Sequence, residues 1–223
     1  MQDPDASEVG VDALNQLCQI YWRPVYVYIR RWGKADADAK DLTQGFFAAI
    51  LSKGSLDSIA RDKGKLRTFL LLALKRFLAN EYERESALKR GGGQKPISID
   101  EEWTDGNSKI ELTSPESPDL LYDRQWALTV LERVVIQLKQ VYAKDGKEEV
   151  FDALRFTISP SGTKSPLADV AVALGISEGA AKVASHRLRQ RYRQMLQGAI
   201  ADTIVSEQDV EEEIRYLMGV FSN

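Results

Sequence analysis

The residues of this chain with the clearest chemical meaning are cations on one side of a short segment, "LADVAVALGISEGAAKVASHRLRQRYRQML", Leu167 to Leu196. Lys182, Ser185, His186, Arg189 and Arg193 recur at helical spacing, with Arg187 and Arg191 beside them. Read as a helix lying in a DNA groove, the side chains near the start reach base edges and the later arginines hold phosphates. A second group, Arg67, Lys75, Arg76, Arg84, Lys89 and Arg90, is interleaved with Phe69, Phe77 and Tyr82. Cations that follow a phosphate backbone, mixed with rings on which bases stack, suit single-stranded or melted DNA. Catalytic chemistry finds no comparable set. The lone His186 has no Cys/His companions for a metal, no nucleophile–base arrangement can be assembled, and "RGGGQK" lacks the spacing of a phosphate-binding loop. The expectation is a binding protein, not an enzyme, with no cofactor and no metal.

Elements must position these cations. Ser165 and Pro166 start a helix with Leu167, Val170, Ala171 and Leu174 on its apolar face, and Gly175 ends it. Ile176 is expected as an apolar plug in the turn and Ser177 as the cap of the next helix. Ala181, Ala184, Leu188, Tyr192 and Met195 give that helix an inner stripe, with alanines 171, 181 and 184 small enough for a close crossing. Two short helices so joined form a helix-turn-helix. Nearer the N-terminus, "DAKDLTQGFFAAIL" places Leu42, Phe46, Phe47 and Ile50 for burial and leaves Asp41 and Gln44 on a polar edge. In "YDRQWALTVLERVVIQLKQVY", Trp126, Val130, Val134 and Leu138 are the inward set.

The chain of 223 residues, 43% hydrophobic, supports two small cores. Its net charge of −3 hides strong segregation. Residues 60–95 hold ten Lys/Arg against four Asp/Glu, whereas residues 96–123 hold eight acids against Lys109, and six acids after Gln197 face only Arg215. Acidic connectors thus separate basic modules. No sustained strand alternation occurs, so the expected fold is all-α, with helix breaks at Gly33 and Gly54. The bounds are a helical domain at 11–90, a Gly/Pro/Ser-rich flexible linker at 91–118, a second domain carrying the helix-turn-helix at 119–197, and an acidic extension at 198–223. In the extension, Glu211, Glu212 and Glu213 precede Ile214, Leu217, Met218, Val220 and Phe221, a helix with a negative start and an apolar end. It is expected either to pack on its own domain as a terminal helix, or to let its acids compete with DNA phosphate for Arg187, Arg189, Arg191 and Arg193 while its apolar end docks on the second domain or a partner. One cysteine, Cys18, excludes an internal disulfide, and no apolar run is long enough for a membrane span, so an intracellular, cytoplasmic chain is expected.

Three motifs in order resemble the extracytoplasmic-function group of bacterial RNA polymerase sigma factors, in its long-linker subgroup with a C-terminal extension. "DLTQGFF" is similar to the region 2 motif, "KLRTFLLLALKRFLANEYER" to the promoter-melting helix after it, and "LADVAVALGISEGAAKVASHRLRQRYR" to the region 4 helix pair. Gly45 stands where the motif has glutamate, and Ala184 and Ser185 where Arg and Leu are frequent. The resemblance implies a sigma factor whose partners are core polymerase, through the β′ clamp and β flap, and promoter DNA. Asp41, Gln44 and Phe47 would face polymerase. Lys65, Arg67, Lys75 and Arg76 would lie near the melted minus-10 strand. Ser177, Lys182, Ser185, His186, Arg187 and Arg189 would face the minus-35 duplex. Control by an anti-sigma protein or by the chain's own extension both fit. The alternative is a dimeric helix-turn-helix regulator that does not join the polymerase and reads a palindromic site.

Overall fold

A computed structural model of the chain describes residues 4–52, 65–90, 117–158, 166–204 and 206–221. The fold is all-α. The helices are α1 (Pro4–Arg31), α2 (Asp36–Ser52), α3 (Leu66–Arg90), α4 (Pro118–Lys144), α5 (Glu148–Leu154), α6 (Leu167–Ala173), α7 (Glu178–Ala201) and α8 (Val210–Gly219), with single 3-10 turns at Arg155–Thr157 and Glu207–Asp209. The expected linker, apart from residues 117 and 118, the expected break at Gly54 and the expected helix start at Ser165 lie outside the described residues.

Two compact units form. The first joins α1, α2 and α3 to residues 118–127, 203–204 and 216–221; the second holds residues 128–158, 166–202 and 206–215. The chain therefore divides within α4 and not at its start, and residues 216–221, expected on the second domain or a partner, belong with the N-terminal helices.

In the first unit, α1 ends where Gly33 takes a left-handed turn (φ +88°), a conformation that glycine adopts without a Cβ clash. α2 then starts with Asp36 and Asp38 at the positive end of its dipole. The Tyr26 hydroxyl donates to Asp36, and Lys40 reaches the same carboxylate at 2.9 Å. These two bonds hold the Asp36 carboxyl below its usual range. Lys34 ties the turn to α3 through Glu85 at 3.0 Å. Tyr21, Val25 and Ile29 of α1, Phe46, Phe47 and Ile50 of α2, and Leu70, Leu74 and Leu78 of α3 are buried, one apolar stripe at helical spacing from each helix. Phe46 meets Phe47 and Phe77 edge-on, at 5.4 and 5.8 Å between centroids.

Gly45 sits inside α2 opposite Phe77, where an added Cβ would meet the Phe77 ring at 3.5 Å, an ordinary contact. Gly45→Ala should therefore stabilise the protein by about 0.5–1 kcal/mol, through helix propensity alone, and move the denaturant midpoint upward. A lower midpoint would mean that this contact is tighter than it stands.

The second unit is built on Leu138, Tyr142, Phe151, Leu154, Val170 and Leu188, with Ala184, Tyr192 and Met195 packed against them. Gly146 (φ +67°) makes the tight turn from α4 to α5, and the Tyr142 and Phe151 rings meet at 5.9 Å.

Candidate nucleic-acid interface

The helix pair α6–α7 is set by local chemistry at both sides of a four-residue turn. Gly175 adopts φ +65°, its N–H donates to the Val172 carbonyl at 3.2 Å, and the Ile176 N–H donates to the Ala171 carbonyl at 3.0 Å. That pattern is the Schellman motif, which satisfies the last carbonyls of a helix. Ser177 caps α7, its Oγ accepting from the Ala180 N–H at 3.1 Å. Ile176 is exposed and plugs nothing; its backbone closes the turn instead.

On α7 the inner face is Ala181, Ser185, Leu188 and Tyr192, and the outer face is Lys182, His186, Arg189 and Arg193. Lys182, His186, Arg187, Arg189 and Arg193 are all exposed, so the expected basic surface exists as one face of a helix. Ser177 is exposed at its start. Ser185 is a correction. It is 2% exposed, because it lies four residues after Ala181 and three before Leu188, both buried. A groove contact from Ser185 is excluded by that placement. Lys182 pairs with Glu178 one turn back at 2.7 Å, which holds the Glu178 carboxyl below its usual range. Arg191, which flanks the outer face, lies 3.7 Å from Asp145.

Of the residues expected near a melted strand, Lys75 and Arg76 are exposed on α3. Arg67 is not; it is 7% exposed and ion-paired with Asp123, itself 6% exposed. The Trp126 and Tyr216 rings lie 5.2 and 4.3 Å from its guanidinium carbon, and the Tyr216 hydroxyl donates to the second oxygen of Asp123. Burial and that bond push the Tyr216 hydroxyl up to about 12. The Tyr122 hydroxyl donates to the Arg67 carbonyl at 3.3 Å. Lys65 is half-buried and pairs as an isolated antiparallel bridge with Ile204. Arg67 is thus a buried ion-pair partner, since Asp123 and two rings take the place of water around it. Lys89 and Arg90 lie on α3, but their side chains are outside the described residues.

Among the residues expected to face polymerase, Asp41 and Gln44 are exposed on α2. Phe47 is 3% exposed, the burial that its periodicity predicts, and so presents no surface of its own. It stacks under Trp22 at 5.8 Å, nearly parallel, and Trp22 is 40% exposed. Trp22 thus extends the Phe47 cluster to the surface, a role legible only once α1 and α2 are known to pack. Asp119, Asp123 and Tyr216 were equally invisible as partners of α3, although both aspartates lie in the acidic surplus of residues 96–123. Among the described residues, no three His, Cys, Asp or Glu side chains are grouped to hold a metal ion, and no helix is long and apolar enough to cross a membrane. Compared with protein-family models, with curated proteins and with solved structures, the chain matches none.

Proposed function

We propose that the chain is a sigma-type subunit that joins core RNA polymerase in the cytoplasm and directs initiation at two-element promoters, with no chemistry of its own. The observation that carries this reading is the outer face of α7, where Lys182, His186, Arg189 and Arg193 are exposed on a helix whose start is capped and whose inner face is packed. Such a face fits the minus-35 duplex, while Lys75 and Arg76 on α3 serve the melted minus-10 strand and the Asp41–Gln44 edge of α2, beside Trp22, serves polymerase.

Co-elution of the purified chain with sigma-free core polymerase, followed by run-off transcription over genomic promoter fragments, tests it. Binding to core together with altered start sites is the expected result; a chain that binds a palindromic duplex as a dimer and ignores core replaces the reading with a regulator. Arg189→Ala sharpens the test. Loss of a base contact costs about 1–3 kcal/mol of discrimination at one base pair. Loss of a phosphate contact weakens all promoters alike and flattens the salt slope by about one unit. Indifference at every promoter removes α7 from the reading surface.

A further inference from the structure

Two cations of α3 are matched by two carboxylates of α4. Arg67 and Lys75 stand eight residues apart, about two turns or 12 Å along one face. Asp119 and Asp123 stand four apart and share a face of α4. The pairs run in opposite senses, Arg67 with Asp123 and Lys75 with Asp119 at 2.6 Å. The outer pair is open to solvent, and the inner one is sealed by Tyr216. The same end of α3 is clasped through the backbone, since the Leu66 N–H donates to the Thr203 carbonyl at 3.0 Å and Lys65 pairs with Ile204. Arg124 anchors the clasp by donating to the Val220 carbonyl at 3.3 Å, beside the buried Leu217 and Val220.

Carboxylate oxygens and an aromatic ring give Arg67 and Lys75 what a single strand of nucleic acid would give them, anionic oxygens and a π face. We propose that the first turns of α4, sealed by Tyr216, are an intramolecular cover that holds the basic face of α3 in place of single-stranded nucleic acid, and that strand binding requires its release. The inference rests on the reading of α3 as a strand-binding face and adds its regulation. Release is graded. The solvent-facing Lys75–Asp119 pair, whose carboxylate also accepts from the Tyr28 hydroxyl, is the weaker hold, whereas Arg67 becomes accessible only when Asp123 and the Trp126 and Tyr216 rings, the last 39% exposed, move off it.

The test is the affinity of the full chain for a fluorescently labelled oligothymidine, followed by anisotropy across a salt series. Asp119→Asn should raise affinity about two- to fivefold and steepen the salt slope by about 0.7, one added phosphate contact. Tyr216→Phe, which keeps the ring and loses the bond to Asp123, should also bind more tightly, and the double variant more tightly still. Glu132→Gln removes an exposed acid elsewhere on α4 and should change neither quantity. An equal gain in Glu132→Gln, or no gain in Asp119→Asn and Tyr216→Phe with melting profiles unchanged, overturns the cover. Core-polymerase co-elution of the same variants separates the two proposals. Intact co-elution without a gain in strand affinity sinks the cover alone, and a gain in strand affinity without co-elution sinks the sigma reading alone.

Discussion

Asp123→Ala is expected to destabilise the protein by about 3–5 kcal/mol, because it strands a buried guanidinium. Arg67 would keep two rings and lose its counter-charge, and the Tyr216 hydroxyl would lose its acceptor. Arg67→Met paired with Asp123→Leu should recover most of the loss, since an apolar pair of similar volume pays no desolvation of charge. Asp119→Ala breaks the pair with Lys75 in water but also takes the acceptor from the buried Tyr28 hydroxyl, and should cost about 1–2 kcal/mol. Urea unfolding of the variants measures all three. A cost below 1 kcal/mol for Asp123→Ala would show that water reaches the inner pair and that Tyr216 does not seal it.

That contrast between two pairs four residues apart marks where sequence reasoning stops. The turn between α6 and α7 was legible because its determinants are neighbours. Gly175 supplies the left-handed φ, and Ser177 caps a residue three positions on. The inward set Trp126, Val130, Val134 and Leu138 followed from helical period and is buried throughout. The helical extension with its acidic first turn followed in the same way. Arg67 was not legible, since its basic neighbourhood pointed to phosphate while its partners stand 56 and 149 positions away, at Asp123 and Tyr216. No count of charge distinguishes a cation awaiting DNA from one already paired by the fold. For the same reason the docking of residues 216–221 with the first unit was not foreseen: an apolar helix end says that it will be covered, not by what. Phe47 shows a milder conflict. Its period buries it while its motif turns it toward a partner, and packing against Trp22 decides for burial.

Ser185 poses the sharpest choice between motif and period, and Ser185→Arg reads it directly. On the inner face of α7, between Ala181 and Leu188, an arginine must either lose its water or force the helix pair apart. The residual penalty for a desolvated charge is several kcal/mol, so the second unit should lose about 3 kcal/mol or more. Duplex binding should fall with it, because Lys182, His186 and Arg189 keep their spacing only while α7 is held. A Ser185 that faced DNA would give the opposite result. The new cation would steepen the salt slope by about 0.9, tighten binding, and change stability by no more than about 0.5 kcal/mol. Ser185→Ala, which removes one buried oxygen and adds no bulk, should stay within about 1 kcal/mol of the parent and bind duplex as the parent does. Thermal melting and duplex titration of the two variants give opposite signs for the two placements, and a stable Ser185→Arg protein with stronger duplex binding would move Ser185 to the outer face.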